Sequence, residues 1–524
     1  MGSTRLVSPE AFRRLIERRI GGLLELATFI AGSGPGLQCF TRPLLGDLLS
    51  EATQLEELLD AYGVRHNRRW YPLRQAAAAL KLFSNASYIL QHILHFLPTY
   101  RLLPLEEDFV TAARQALEFT CRILVASARN LLQTARTLRL PLPRELPSPG
   151  RFADELPDGS LPPDRDSHKV ASPEETVVYL ATAFLNLAEG ARFIHLAREK
   201  RDEGYAGLVP DPISEERLRN LEQKFHNLQS VYDTHISDSN MESVDERLSA
   251  LRGHISVIYH LLETATVFAH YCERHIFSFA PAGRRGEIVD AGQLLEVLMR
   301  FSLAFSSRYI LAARALCHQM LKRYAIQDRI SVPVPRYRGF HVRPSTLVAR
   351  IVGHYGSQVV MELEGESYDA GVSLDLFRAN EKINARKKRR LAEEAHRVLA
   401  AGDAASLCAP AQAGVDGAPA QCFVSVRGVI QSLFANNRLV LYEREVSLEE
   451  IRPRPGEQLG EFVTRALLEL LTVGKIDVTT ELSAEFAGDR RVLQDIRLLA
   501  ENGYGEDDFG NNLPLPGRLE YLRA

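Results

Sequence analysis

At 524 residues the chain is several times the size of one hydrophobic core, so about two to four domains are expected. Hydrophobic residues make up 45%, charged residues 25%, and the formal net charge is −3. This is a soluble globular composition, and it offers no global electrostatic case for binding nucleic acid or a membrane surface. Cys39, Cys121, Cys272, Cys317, Cys408 and Cys422 are widely spaced with no CxxC pair, which fits free thiols in a reducing, cytoplasmic setting. No apolar run reaches the length of about eighteen residues that a membrane helix needs, since "LLELATFIAG" holds Glu25 and "VVYLATAFLNLAEG" breaks early. The opening MGSTRL has neither a signal-peptide core nor a myristoylation pattern.

From residue 8 to about 327 the apolar spacing is helical almost throughout, and this region reads as all-α. Ser8-Pro9-Glu10 is a helix-start signal of cap, proline and first-turn acid, repeated by Ser172-Pro173-Glu174-Glu175. Helices are predicted over about 8–31, 43–62, 69–97, 106–138, 173–203, 213–236, 241–276 and 290–327. A connector with eight prolines in residues 141–173 divides them, because proline lacks the amide donor and fixes φ. The organisation expected is a helical bundle over 1–138, a Pro-rich linker over 139–172, and a second bundle, or the second half of the first, over 173–327.

After residue 328 the pattern changes. "RISVPVP", "SQVVMELEG" and "GKIDVTTELSAEF" are rich in β-branched residues and bounded by turn residues, so an α+β domain is expected here. Between the last two strand signals lie a charged helix, the Ala/Gly/Pro-dominated loop "AAGDAASLCAPAQAGVDGAPAQ" and a short mixed segment.

Within "RYRGFHVRPSTLVARIVGHYGSQ", Pro344 is tolerated in a first helical turn, and Leu347, Val348, Ile351, Val352 and Tyr355 form one apolar face. His341 therefore stands at a helix start. Unpaired backbone amides and the positive end of the helix dipole favour an anion there. Arg343 adds a charge suited to phosphate oxygens, and a neutral imidazole at that position can attack a phosphoryl donor.

Gly339-Phe340-His341-Val342-Arg343-Pro344 resembles the active-site signature of HPr, the histidine-containing phosphocarrier of the bacterial phosphotransferase system, with Val342 bulkier than the usual alanine. "QVVMELEGESYDAGVSLDLF" follows that family's order of strand, tight turn at Glu364-Gly365, strand and short helix. "LLTVGKIDVTTELSAEFAGDRRVLQDIRLLAENGYGED" resembles its last strand and helix. The resemblance implies a βαββαβα open-faced sandwich over 328–376 and 465–508, interrupted by an insertion over 377–464 and followed by a tail over 509–524. Such an insertion into a surface connection adds little loop-closure entropy. It further implies phosphorylation of His341, with the Val342 and Arg343 amides and the Arg343 side chain holding the phosphate and Pro344 fixing the helix start. Ser373 lies within one residue of where some members carry a regulatory serine. The implied partners are an enzyme I-like phosphoryl donor and a downstream acceptor protein, with no cofactor and no metal.

Other clusters have simpler readings. His260, Glu263 and His270 lie near one face of the 241–276 helix, where a metal site would also draw on His226 or His235; buried histidines satisfied by hydrogen bonds are the commoner case. The run Arg386-Lys387-Lys388-Arg389-Arg390 reads as a solvated face of the inserted helix, and Arg68, Arg69, Trp70 and Arg74 as a helix-start anchor. No GxxxxGK[ST], post-strand GxGxxG or GxSxG occurs. Two further readings stay open beside the phosphocarrier: a non-phosphorylated helical scaffold with a vestigial HPr-like docking domain, and a helical metal or ligand sensor centred on 226–275.

Overall fold

The computed structural model describes residues 6–33, 39–145, 147–154, 161–162, 173–198, 204–205, 207–237, 239, 241–277, 288–400, 417–442, 451–479 and 481–523. Most of the Pro-rich linker beyond Asp154 and most of the Ala/Gly/Pro loop, including Cys408, lie outside the described residues. The chain divides into two units, Met1–Met320 and Leu321–Ala524.

The first unit is helical. Its elements are α1 (Pro9–Arg19), α2 (Gly21–Ser33), α3 (Arg42–Ala61), α4 (Tyr71–Phe96), α5 (Phe109–Thr137), α6 (Pro173–Gly190), α7 (Glu215–Tyr232), α8 (Met241–Val244), α9 (Glu246–Tyr271), α10 (Ala291–Val297) and α11 (Ala304–Tyr324). Caps set several starts: Ser8, Thr41, Asp108 and Ser214 each accept a hydrogen bond from a first-turn amide. The predicted 8–31 helix is broken at Ile20, π-helical turns at Asp233–Ser237 and Cys272–Phe277 end α7 and α9, and one at Leu298–Leu303 separates α10 from α11. α4 packs against α3, α5 and α9, which joins the segments on both sides of the linker in one unit. The start of the linker is itself docked: Phe152 is buried against Phe29, and Asp154 accepts from Arg42 at 3.1 Å. Among the described residues no single helix is long and apolar enough to cross a membrane.

The second unit is α+β. A four-stranded antiparallel sheet is built from β1 (Gln327–Pro333), β2 (Val359–Leu363), β3 (Glu366–Asp369) and β6 (Ser483–Asp489), in the order β1-β6-β2-β3. Glu364 and Gly365, both at positive φ, make the tight β2–β3 turn that the sequence predicts. Alternate residues point inward, so Ile330, Val332, Val359, Met361, Ala484 and Phe486 are buried while their neighbours face solvent. Helices α12 (Val342–Tyr355), α13 (Ser373–Arg378) and α17 (Arg490–Glu501) contribute Val348, Ile351, Leu376, Val492 and Ile496 to the core on that face.

Strand β6 lies between β1 and β2, and at Gly488 it approaches β2 closely. A Cβ there would sit 2.7 Å from the Gln358 carbonyl oxygen and 3.1 Å from the Val359 Cα, backbone atoms that cannot swing aside. Gly488→Ala is expected to cost about 1–3 kcal/mol. Hydrogen exchange of the β6 amides should report the loss, and unchanged protection would contradict it.

The intervening segment has its own core. Helices α14 (Asn380–Ala400), α15 (Gly417–Ala435) and α16 (Leu459–Val473) pack with the strand pair β4 (Leu439–Leu441) and β5 (Ile476–Val478) around Leu391, Val429, Leu433, Phe462, Leu467 and Ile476. The predicted strand "GKIDVTTELSAEF" is thus two strands in different sheets. Its first half pairs with β4 and its second half, β6, fills the gap in the main sheet, so the return to that sheet begins at Ser483 and not near 465. Periodicity alone reads the two halves as one run because only Thr479–Leu482 separates them.

Candidate functional site

His341 is the N-cap of α12, with extended backbone and no capping bond from its own side chain. The first ladder bond runs from the Ser345 amide to the His341 carbonyl at 3.1 Å, so the Val342 and Arg343 amides lie ahead of the ladder, at the positive end of the helix dipole. Pro344 sits buried in the first turn, where no intrahelical partner is lost, and Ser345 Oγ donates to the Phe340 carbonyl at 2.8 Å, tying the turn down. Gly339 has φ +64, and any side chain there would run into Asn380, whose amide donates to the Arg338 carbonyl at 3.2 Å.

The His341 side chain is 23% exposed. Its Nε2 lies 2.9 Å from both carboxylate oxygens of Glu506, whose own side chain is only 2% exposed. A neutral imidazole donating from Nε2 to this carboxylate has its lone pair on Nδ1, so the contact selects the tautomer. The Tyr337 ring stands edge-on to the imidazole with centroids 5.5 Å apart.

Glu506 reaches this position through an unusual turn after α17. Gly503, Tyr504 and Gly505 all take positive φ, at 64°, 58° and 76°. A left-handed tyrosine costs about 1–2 kcal/mol, offset by burial of its ring and by a 2.8 Å bond from its hydroxyl to the Pro333 carbonyl. The loop beyond is ordered by Asp507, which accepts from the Phe509 and Asn511 amides at 2.9 and 2.8 Å, and by a bridge between Glu506 and Asn512.

The Arg343 guanidinium donates to Asn512 Oδ1 on this loop, and its Nε is buried without a partner, so the side chain lies against the C-terminal loop. Ser373 is exposed at the first position of α13, behind the N-cap Val372, and no contact joins it to His341 among the described residues.

Glu506 is the residue that the sequence reading misses. In "GYGEDDF" it is one acid of three, indistinguishable from a solvated run; the flanking glycines were the only signal that the chain turns back.

The other clusters resolve into local structure. His254 is buried with Nδ1 2.8 Å from the Ala250 carbonyl, His270 turns to Glu215 at 2.9 Å, and His260 to Glu263 at 3.2 Å. Among the described residues no group of three or more His, Cys, Asp or Glu side chains is arranged to hold a metal ion. Trp70 packs edge-on to Phe12, and Arg74 pairs with Asp60. Of the basic run, Arg386 and Arg389 lie about Glu364, while Lys387 is buried against Asp477 at 2.7 Å. No family model matches the chain, and neither a curated protein nor a solved structure shows significant similarity to it.

Proposed function

We propose that the second unit contains an HPr-like domain in which His341 accepts a phosphoryl group at Nδ1 and passes it on, as part of a bacterial phosphotransferase-type system. The carrying observation is the His341–Glu506 pair at the start of α12: a helix-start imidazole with one nitrogen engaged by a buried carboxylate and the other left as nucleophile. The sheet order β1-β6-β2-β3, with helices on one face, supports the reading as the arrangement that an interrupted βαββαβα chain needs. As Nδ1 attacks phosphorus, the P–N bond forms, the donor's bond to phosphorus breaks and the leaving group takes that electron pair. The ring gains positive charge, which Glu506 compensates through Nε2–H. The Val342 and Arg343 amides, which lie ahead of the α12 ladder, would receive the phosphoryl oxygens. The donor would be enzyme I-like, the acceptor a downstream protein, and the helical unit a partner-binding or regulatory region.

The test is incubation of the full chain with its cognate enzyme I and labelled phosphoenolpyruvate. An acid-labile, base-stable phosphate is expected on the wild type and none on His341→Ala. A folded wild type that takes no label overturns the assignment.

One observation favours a second reading, a docking module that is never phosphorylated: the His341 and Arg343 side chains both already have partners on the C-terminal loop. Under that reading the label is absent from the wild type and from Asn512→Ala, in which Arg343 is released.

A further inference from the structure

A cavity of about 630 Å³ opens in the helical unit between α4, α7 and α9. We propose that it binds a small uncharged polyhydroxylated molecule, of monosaccharide to disaccharide size. The volume falls within the range of small-molecule sites, and the wall chemistry selects the class.

Charge is paired off around the wall. Arg252 faces Asp233 across it, and Arg101, at the rim, lies 3.7 Å from Glu246 just outside the lining. Arg252 grips Asp233 through two bonds of 2.7 and 3.0 Å, and Glu242 accepts from the buried Tyr232 hydroxyl at 2.7 Å. An ionic ligand entering here would have to break one of these pairs, whereas a neutral one would not.

What the wall leaves open is uncharged. Gln229 Oε1 is buried and has no hydrogen-bond partner, an unmet acceptor of the kind native structures seldom keep without a ligand or water. The Ser249 hydroxyl and the ring nitrogens of His92 also make no hydrogen bond among the described residues. Burial holds His92 well below the usual histidine range, at about 4, so at neutral pH it is an uncharged donor and acceptor. These are the partners a set of hydroxyls would use.

The wall also has an aromatic part. The His92 ring lies tilted against those of Phe96 and His260, with centroids 4.5 Å from each, and aromatic surface suits the C–H face of a cyclic polyol. Asp233 and Ser237 reach the cavity from the π-helical turn at the end of α7, a wound-out geometry common where helices carry function.

Titration calorimetry on the full chain with D-glucose and myo-inositol, against D-glucose 6-phosphate and glutamate, tests the proposal. Saturable binding of at least one neutral polyol is expected, weakened about tenfold in Gln229→Leu, where one hydrogen bond is lost. Gln229→Leu should melt no lower than the wild type, because it removes an unsatisfied buried acceptor, so lost binding in that variant is not lost folding. His92→Phe should weaken binding while keeping the aromatic contacts. Binding of neither polyol, of the charged probes only, or undiminished in both cavity variants overturns the assignment.

Discussion

Under the proposed phosphocarrier function, Glu506→Gln is expected to slow phosphoryl transfer to His341 by on the order of 10²-fold with the fold intact, the scale at which positioned acid–base groups contribute. Glutamine keeps the shape and still accepts from Nε2–H, but it carries no charge to balance the cationic ring that forms as Nδ1 attacks. At 2% exposure the carboxylate is little screened by water, so the lost charge is felt in full. The measurement is the initial rate of label uptake from the cognate donor, with melting temperature as the fold control. Equal rates in variant and wild type would remove Glu506 from the chemistry. His341→Gln provides the complementary control: its side-chain amide still donates to Glu506, so the fold is kept while the nucleophile is gone. His341→Ala lacks that donor and leaves a buried carboxylate unsatisfied, at a cost of about 1–3 kcal/mol.

The largest stability effect is expected at Lys387 and Asp477. Their side chains are 3% and 6% exposed and meet at 2.7 Å, with the Tyr442 hydroxyl adding a third contact at 3.1 Å. Removing one member strands the other charge in the interior, so Lys387→Met or Asp477→Asn alone should cost about 3–5 kcal/mol. Changing both together should recover most of the loss, because two neutral groups demand no compensation. A double-mutant cycle read by hydrogen exchange of the α14 and β5 amides checks this, and additive losses would refute the coupling. The effect should reach the histidine. Tyr442 packs edge-on to Tyr337 at 5.0 Å, and Tyr337 to His341 at 5.5 Å, so a loosened segment should also alter the histidine's ring resonances.

Much of the architecture was legible because it rests on local rules. Apolar residues at helical spacing placed α3, α4 and α5 to within a few residues, since burying one face needs that period wherever the helix docks, and the cap Ser8 is chosen by a first-turn amide alone. The Glu364-Gly365 turn follows from the positive φ that it demands. His341 at a helix start was readable for the same reason: proline in the first turn and an apolar face behind it are short-range signals.

Tertiary structure decided the rest. Nothing near residue 478 says that β5 and β6 join different sheets, because strand pairing is chosen by partners far along the chain. Lys387 reads as one cation in a solvated run, and its neighbours are; only the fold places Asp477 beneath it. Glu506 lies 165 residues from His341, and its acidity alone carries no information about burial. The sequence by itself determined where the His341 imidazole stands and what helix it caps. Which of its nitrogens is engaged, and by what charge, was set by a left-handed turn at Gly503–Gly505 that folds the end of the domain back over its site.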